Sequence, residues 1–432
     1  MPPDLTFLAE TDFRNRYRPF GIHHTDRRSH MYLVGKTGTG KSTLLKNLMV
    51  QDIRNGHGVG VIDPHGDLVE DILNHIPPSR TGDVVYFNPA DLEFPIGFNI
   101  LGSVAPDLRP LVADHVIAVM RNIWADSWGP RLEYILSNAV RALLEVEGST
   151  LLAVPRMLSD QPYRARIVAQ VKDPFIKHFW IEEYEKYPSD FQKEAIAPIQ
   201  NKIGQFLTSR PIRHIVGQVK NKMEFRFMMD NSRIFLANLS KGKMGDSATS
   251  LLGSLLVTKM FLAALRRVDQ PEEARKDFYL YIDECQNLAT PIFASILSEA
   301  RKYRLNLVLS HQYLAQLSPD ILQAVLGNIG TLISFRLGAE DALTLAPEFT
   351  PEVSAQDLEN TGKHQIYIKL AVNGLTSRPF SGRTLPPIVP QENEDRRKII
   401  IQASRQKYGT KREIIEDKIL RWLTPSEERE KK

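Results

Sequence analysis

The chain has 432 residues, enough for two or three domains, with 42% hydrophobic and 25% charged residues. These are ordinary globular values; they exclude a collagen-like or low-complexity chain and allow a large core. A net charge of +4 permits nucleic-acid binding without arguing for it, and the single cysteine, Cys285, excludes an internal disulfide framework, which fits an intracellular protein.

In chain order, residues 1–30 read as polar and irregular, without the basic and apolar regions of a signal peptide. "MYLVG" (Met31 to Gly35) reads as a short buried strand. "KSTLLKNLMVQDIRN" follows with Leu44, Leu45, Leu48 and Met49 at helical spacing. "GVGVID" and "DVVYFNP" are two further strands. Strand, helix, strand alternation predicts an α/β fold with a parallel sheet.

From about Pro106 to Met229 helical periodicity dominates, which predicts an inserted helical domain. "SRIFLANLS" returns to the strand pattern, and an amphipathic helix is expected over about Ser247 to Arg267. The apolar stretch Leu251 to Leu265 is short for a bilayer span and contains Lys259, so no membrane crossing is expected. "DFYLYIDECQNL", a helix near Ile292 to Tyr303, and the strands "NLVLSHQ" and "TLISFRLG" follow. "HQIYIKLAVNGLTSRPF" reads as a hairpin turning at Asn373 and Gly374.

The last forty or so residues read as a charged helical tail, with Ile399, Ile400, Ile414, Ile415, Ile419 and Trp422 at helical spacing. Such a face could pack on its own core or a neighbouring subunit, or serve as a partner-binding arm. The expected organisation is an N-terminal segment 1–30, a first core part 31–105, a helical insertion 106–229, a second core part 230–390 and the tail 391–432.

"GKTGTGKST" matches G-x-x-x-x-G-K-[ST] between a strand and a helix. Glycines let backbone N–H groups turn toward phosphate oxygens, and the helix N-terminus adds its positive dipole end. Gly35, Thr37, Gly38, Thr39, Gly40, Lys41, Ser42 and Thr43 are therefore the candidate ATP contacts. Lys41 is expected to reach the β- and γ-phosphates and Ser42 to ligate Mg2+.

The buried-looking run Phe278 to Ile282 ends in two carboxylates, Asp283 and Glu284. Such groups are costly at a buried strand tip unless paired or metal-bound. Beside a phosphate loop, Asp283 is expected to hold magnesium and Glu284 to act as general base on the attacking water. Gln312, ending a later strand, could sense the γ-phosphate or could be a solvated strand end. Arg28, Arg301, Arg304 and Arg336 are candidates to stabilise transition-state charge, with Arg28 and Arg301 ahead of the others. Asp63, in "DPHGDL", reads better as a turn and cap than as a metal neighbour, and no second His or Cys lies at ligand spacing from His65.

The ordered set "HMYLVGKTGTGKSTLL", "GVIDPHGDL", "YLYIDECQNL", "SEARKYRLNLVLSHQYL" and "LGNIGTLISFRLGAEDA" resembles the HerA–FtsK superfamily of P-loop ATPases. Within it the chain looks most like TraG/TraD-like coupling ATPases of type IV secretion and conjugation, and HerA-type helicases. The resemblance covers about Arg28 to Pro387. It implies a RecA-like core, a ring (usually a homo-hexamer) and ATP-driven movement of DNA through its channel.

The resemblance also matches Lys41 and Ser42 to the nucleotide site, Asp283 and Glu284 to Walker B, and Gln312 to the sensor. It suggests an arginine from a neighbouring subunit, Arg28 or Arg301. Coupling proteins typically carry N-terminal transmembrane helices and HerA proteins an N-terminal β-barrel; neither is visible here. The expected location is therefore the cytoplasm, peripheral to the inner membrane through partners such as a nuclease, relaxase or secretion channel. Single- or double-stranded DNA would be held by backbone phosphates. Lys241 and Lys243, on a glycine-containing loop, are candidate contacts that could equally be a solvated charged face. A different class of function is also consistent with these residues: a nucleotide-gated oligomeric scaffold that recruits a partner without moving DNA.

Overall fold

The computed structural model describes residues 4–12, 17–290, 292–390 and 396–424. The strands in chain order are β1 (Leu5–Glu10), β2 (Pro19–His23), β3 (Met31–Val34), β4 (Gly58–Asp63), β5 (Val84–Phe87), β6 (Ile234–Asn238) and β7 (Phe278–Ile282). They continue with β8 (Leu305–His311), β9 (Thr331–Ser334), β10 (Gln365–Lys369), β11 (Ala371–Val372), β12 (Leu375–Thr376) and β13 (Phe380–Thr384). Among the described residues, eleven of them form one sheet in the order β2-β1-β13-β10-β9-β3-β8-β7-β4-β6-β5.

The seven strands from β9 to β5 run parallel. The central ones are buried on both faces, as continuous apolar runs require. The α/β reading with a mostly parallel sheet therefore holds. At the other end β10, β13, β1 and β2 add on antiparallel. The hairpin turns where expected: β11 pairs with β12, and Asn373 and Gly374 take φ of 52° and 78° between them.

Two expectations are corrected. Residues 1–30 are not an irregular segment, because β1 and β2 lengthen the sheet and bury Leu8, Ala9 and Ile22. β2 is the edge strand and β1 lies beside it, and both are only partly buried, so "LTFLAE" and "PFGIH" carry a weak sequence signal. The helix Asp246–Leu265 is not amphipathic: Leu251, Leu252, Leu255, Leu256, Val257, Met260 and Phe261 are all buried. By length and composition the helical run Asp246–Asp269 could cross a bilayer, yet 72% of its most apolar window is buried inside the protein, as in a core helix.

The chain divides into two compact units. One holds the sheet and comprises Met1–Phe87, Phe225–Lys241 and Met260–Ser404. Its core includes Leu33, Leu44, Leu48, Val61, Tyr281, Val308 and Ile333. The other comprises Asn88–Glu224, Gly242–Lys259 and Arg405–Lys432, and is helical throughout its described residues apart from turns and one isolated bridge.

The tail helix Arg412–Leu423 packs within this second unit. Ile415 and Ile419 are buried, the Trp422 ring meets Tyr163 edge-on at 5.9 Å, and the Arg156 guanidinium lies 5.0 Å from that ring. Ile399 and Ile414 stay exposed while Ile400 is buried, so the six tail residues do not form one buried face.

Candidate functional site

All seven parallel strands point their C-terminal ends at one sheet edge, where the loops after β3, β4, β7 and β8 gather. Ligands of open α/β sheets bind outside this edge. Strand β8 lies between β3 and β7, so the loops bearing Lys41 and Asp283 are separated by the loop bearing Gln312.

The loop after β3 curls back on itself. Gly38 and Gly40 take φ of 77° and 123°, conformations that side chains with a Cβ rarely adopt. Thr39 Oγ1 donates to Lys36 O at 2.7 Å. Lys41 opens the helix Lys41–Arg54 and donates through Nζ to the carbonyls of Gly35 and Lys36, inside the loop. Burial holds the Lys41 ammonium below its ordinary pKa, and Glu284 and Asp283 partly offset that shift.

Past β7 the chain turns sharply, with Glu284 in the left-handed region at φ 48°. Glu284 is 6% exposed, and both of its oxygens are engaged. Gln312 Nε2 donates to Oε1 at 2.6 Å and Gln286 Nε2 to Oε2 at 2.7 Å. Thr37 Oγ1 in turn donates to Gln312 Oε1 at 3.0 Å. A continuous hydrogen-bonded chain thus runs from the phosphate loop to the second carboxylate.

Asp283 sits beside this chain. Burial, then the nearby carboxylates Asp63 and Glu284, raise its pKa to about 6. A divalent cation would relieve that crowding of negative charge. Among the described residues no group of three or more His, Cys, Asp or Glu is placed to hold a metal. Magnesium fits such a site, since it takes few protein ligands and completes its shell with water and phosphate oxygens. Ser42 and Asp283 line the same cavity and are the residues that would hold it.

Asp63 is occupied otherwise. Its Oδ1 accepts from His65 N at 2.9 Å, and its Oδ2 accepts from Leu68 N at 2.9 Å and Val69 N at 3.2 Å. It caps the turn into the helix Asp67–Leu73, the structural role expected of it.

The cavity, of about 290 Å³, gathers Thr37, Gly38, Gly40, Lys41, Ser42, Thr43, Asp283, Glu284 and Gln312. Two residues that the sequence did not mark as site candidates complete it: Lys363 and His364. They precede β10, which runs antiparallel to β9 and so begins at the phosphate-loop edge. Nothing local marks them; a positive φ at His364, 64°, appears only in the fold.

Other candidates lie elsewhere. Arg28 precedes β3, at the opposite sheet edge, and pairs with Asp277 through Nε at 3.0 Å and Nη2 at 2.8 Å. Arg301 is exposed in the turn before β8, also at that edge. Neither reaches the cavity of its own chain. Arg304 pairs with Glu272 at 3.3 Å, and Arg336 follows β9, its carbonyl accepting from Lys36 N at 2.9 Å. Lys241 N donates to Pro64 O at 2.8 Å; Lys241 and the exposed Lys243 lie in a four-residue helix, Lys241–Met244, and not on the loop expected.

A glycine-bearing loop between strand and helix, a paired carboxylate tip and a glutamine just past the intervening strand together define a P-loop protein with a RecA-like nucleotide fold. The chain belongs to the type IV secretion-system coupling protein DNA-binding domain family, whose model matches residues 19–346. No curated protein sequence matches it.

Among solved structures it is similar to the plasmid coupling protein TrwB in complex with the non-hydrolysable GTP analogue GDPNP, with a TM-score of 0.64, 16% identity, and 86% of this chain and 89% of that chain covered. A TrwB complex with ADP and Mg2+ gives a TM-score of 0.64 and 16% identity over 89% and 91% of the two chains. VirB4 of Thermoanaerobacter pseudethanolicus gives 0.58 and 14% over 88% and 96%. At these identities the likeness is one of fold.

Proposed function

We propose that this chain is a Mg2+-dependent ATPase of the conjugation-coupling type that moves DNA through a ring of identical subunits. The observation that carries the reading is the hydrogen-bonded chain Thr37–Gln312–Glu284, which links the phosphate loop to a carboxylate beside the Ser42–Asp283 pair. TrwB structures hold nucleotide analogues and ADP with Mg2+, and the family is described as DNA-binding, which supports the same reading.

Lys41 and the backbone amides of Gly38 to Lys41 bind the phosphates. Ser42 and Asp283 hold magnesium, which when bound neutralises phosphate charge and polarises the transferred group. Glu284 accepts the proton of the attacking water. Gln312 orients Glu284 and reads the γ-phosphate side through Thr37. An arginine from a neighbouring subunit, Arg28 or Arg301, completes the site in a homo-hexamer. Lys241 and Lys243 contribute to backbone-phosphate contacts with DNA, and a secretion-channel or relaxase partner brings the ring to the inner membrane.

The test is steady-state ATP hydrolysis by the purified protein without DNA, with single-stranded DNA and with duplex DNA, beside Glu284→Gln as background. Strong stimulation by one form is expected and identifies the track. Hydrolysis indifferent to both would overturn the motor and favour a nucleotide-gated scaffold.

A further inference from the structure

Lys363 and His364 stand more than three hundred residues from the phosphate loop, yet they form one wall of its cavity. The turn that carries them is held from three sides. His364 N donates to Thr39 O, within the phosphate loop, at 2.9 Å. His364 O accepts from Thr384 N, the last residue of β13, at 2.8 Å. Gly362 N donates to Gln365 Oε1 at 3.0 Å, closing the turn on itself.

The His364 ring packs directly on the loop: a Cβ built on Gly40 would lie 2.8 Å from its Nδ1. The segment after β13 is fastened to the helix following the loop as well. Asn47 Nδ2 donates to Pro386 O at 2.9 Å, and Ile388 N donates to Asn47 Oδ1 at 2.9 Å. The turn and the phosphate loop are thus one fixed assembly.

On that assembly Lys363, an exposed residue, lines the same cavity as Asp283 and Glu284. The charge balance gives it a task. A nucleoside triphosphate brings more negative charge than one magnesium ion and Lys41 together neutralise, and Asp283 and Glu284 add to the excess. Lys36, the other nearby cation, does not line this cavity; its side chain lies against Gly338, whose Cβ position is 3.9 Å from Lys36 Nζ.

We infer that Lys363 is a second phosphate-binding cation supplied within the same chain, carried on a turn that the His364 backbone ties to Thr39. The inference rests on the nucleotide-site reading above and adds a binding residue to it. It also gives the antiparallel extension a function, because only a strand running against β9 starts at this edge.

The test is equilibrium binding of a fluorescent ATP analogue with Mg2+ to the full chain, for the wild type, Lys363→Ala, Lys363→Arg and Lys41→Ala. A charge-assisted contact predicts about tenfold weaker binding for Lys363→Ala and recovery in Lys363→Arg. The gap between wild type and Lys363→Ala should shrink as salt is raised, because it is ionic. Melting temperature without nucleotide should be unchanged in Lys363→Ala, since the side chain is exposed. Equal affinity of wild type and Lys363→Ala, with Lys41→Ala impaired, would overturn this inference and leave the nucleotide site standing. Undiminished binding by Lys41→Ala would overturn the nucleotide-site reading itself.

Discussion

Gln312 holds Glu284: the amide Nε2 of the first donates to Oε1 of the second at 2.6 Å. The two stand just past the ends of β7 and β8, which pair in parallel, so strand register alone brings them together. The same amide accepts from Thr37 Oγ1 at 3.0 Å, so Gln312 bridges the phosphate loop and the carboxylate.

Glu284→Gln keeps the shape of this network and removes the proton acceptor. Turnover should fall about 10²- to 10⁴-fold, the range of general-base removal, while nucleotide binding persists. Parallel measurements of hydrolysis and nucleotide affinity check it, and normal turnover would remove Glu284 from the role of base.

Gln312→Ala leaves the base in place but unheld. One hydrogen bond to a charged group lost in the transition state predicts about a ten- to hundredfold lower kcat, with KM little altered. A loss confined to KM would mean that the glutamine serves binding and does not orient the base.

Asp283 links stability to pH. Its pKa is raised from 3.8 to about 6, so the folded protein holds this proton more tightly than the unfolded chain. Its contribution therefore turns unfavourable as pH rises from about 4 through about 6. Without magnesium, Asp283→Asn should melt above the wild type at pH 7, and the difference should vanish below pH 4. Added Mg2+ and ADP should stabilise the wild type more than the variant, because a neutral amide is a poor substitute for the carboxylate as a magnesium ligand. Melting curves across pH, with chelator or with Mg2+ and ADP, read both effects.

Arg27 and Asp52 form a fully buried pair, at 2.5 Å between Nη1 and Oδ1 and 2.9 Å between Nη2 and Oδ2. Tyr281 donates to Asp52 Oδ2 at 2.6 Å, and Thr6 accepts from Arg27 at 3.0 Å. The cluster ties β1, the helix of the phosphate loop and β7 together. Asp52→Ala strands a buried guanidinium and should cost about 3–5 kcal/mol. Urea denaturation measures this, and a loss under 1 kcal/mol would show that the cluster relaxes or hydrates.

Arg301 is exposed at the sheet edge away from its own cavity, which suits a residue that acts on a neighbour. Arg301→Ala should lower turnover by about 10³-fold or more, as for a lost arginine finger. Mixing it with Glu284→Gln subunits should restore part of the activity, since such a ring contains intact sites formed by one subunit of each kind. Failure to complement would move the role to Arg28, whose pairing with Asp277 would then have to open.

The phosphate loop and the carboxylate pair stand out as patterns in the chain because each depends on local spacing, whereas Gln312 could there be either a sensor or a solvated strand end. A loop of glycines must lie between a strand and a helix, and a carboxylate at a strand tip follows directly from the apolar run before it. The Asn373–Gly374 turn was readable for the same reason. The two N-terminal strands were not, since β2 at the sheet edge and β1 beside it are only partly buried and so need few apolar residues. The core helix over 246–265 was misread as amphipathic because a helix buried on all sides has no polar face to reveal its orientation.

What the tertiary structure alone decided is which distant segments share the site. Strand order put β8 between the two phosphate-site strands and sent the start of β10 to the phosphate loop. Lys363 and His364 therefore join a loop more than three hundred residues away. Arg28, although only a few residues before β3, is carried to the far edge. Local spacing encodes the chemistry of a loop; pairing between strands distant in sequence encodes its neighbours, and no short pattern records that.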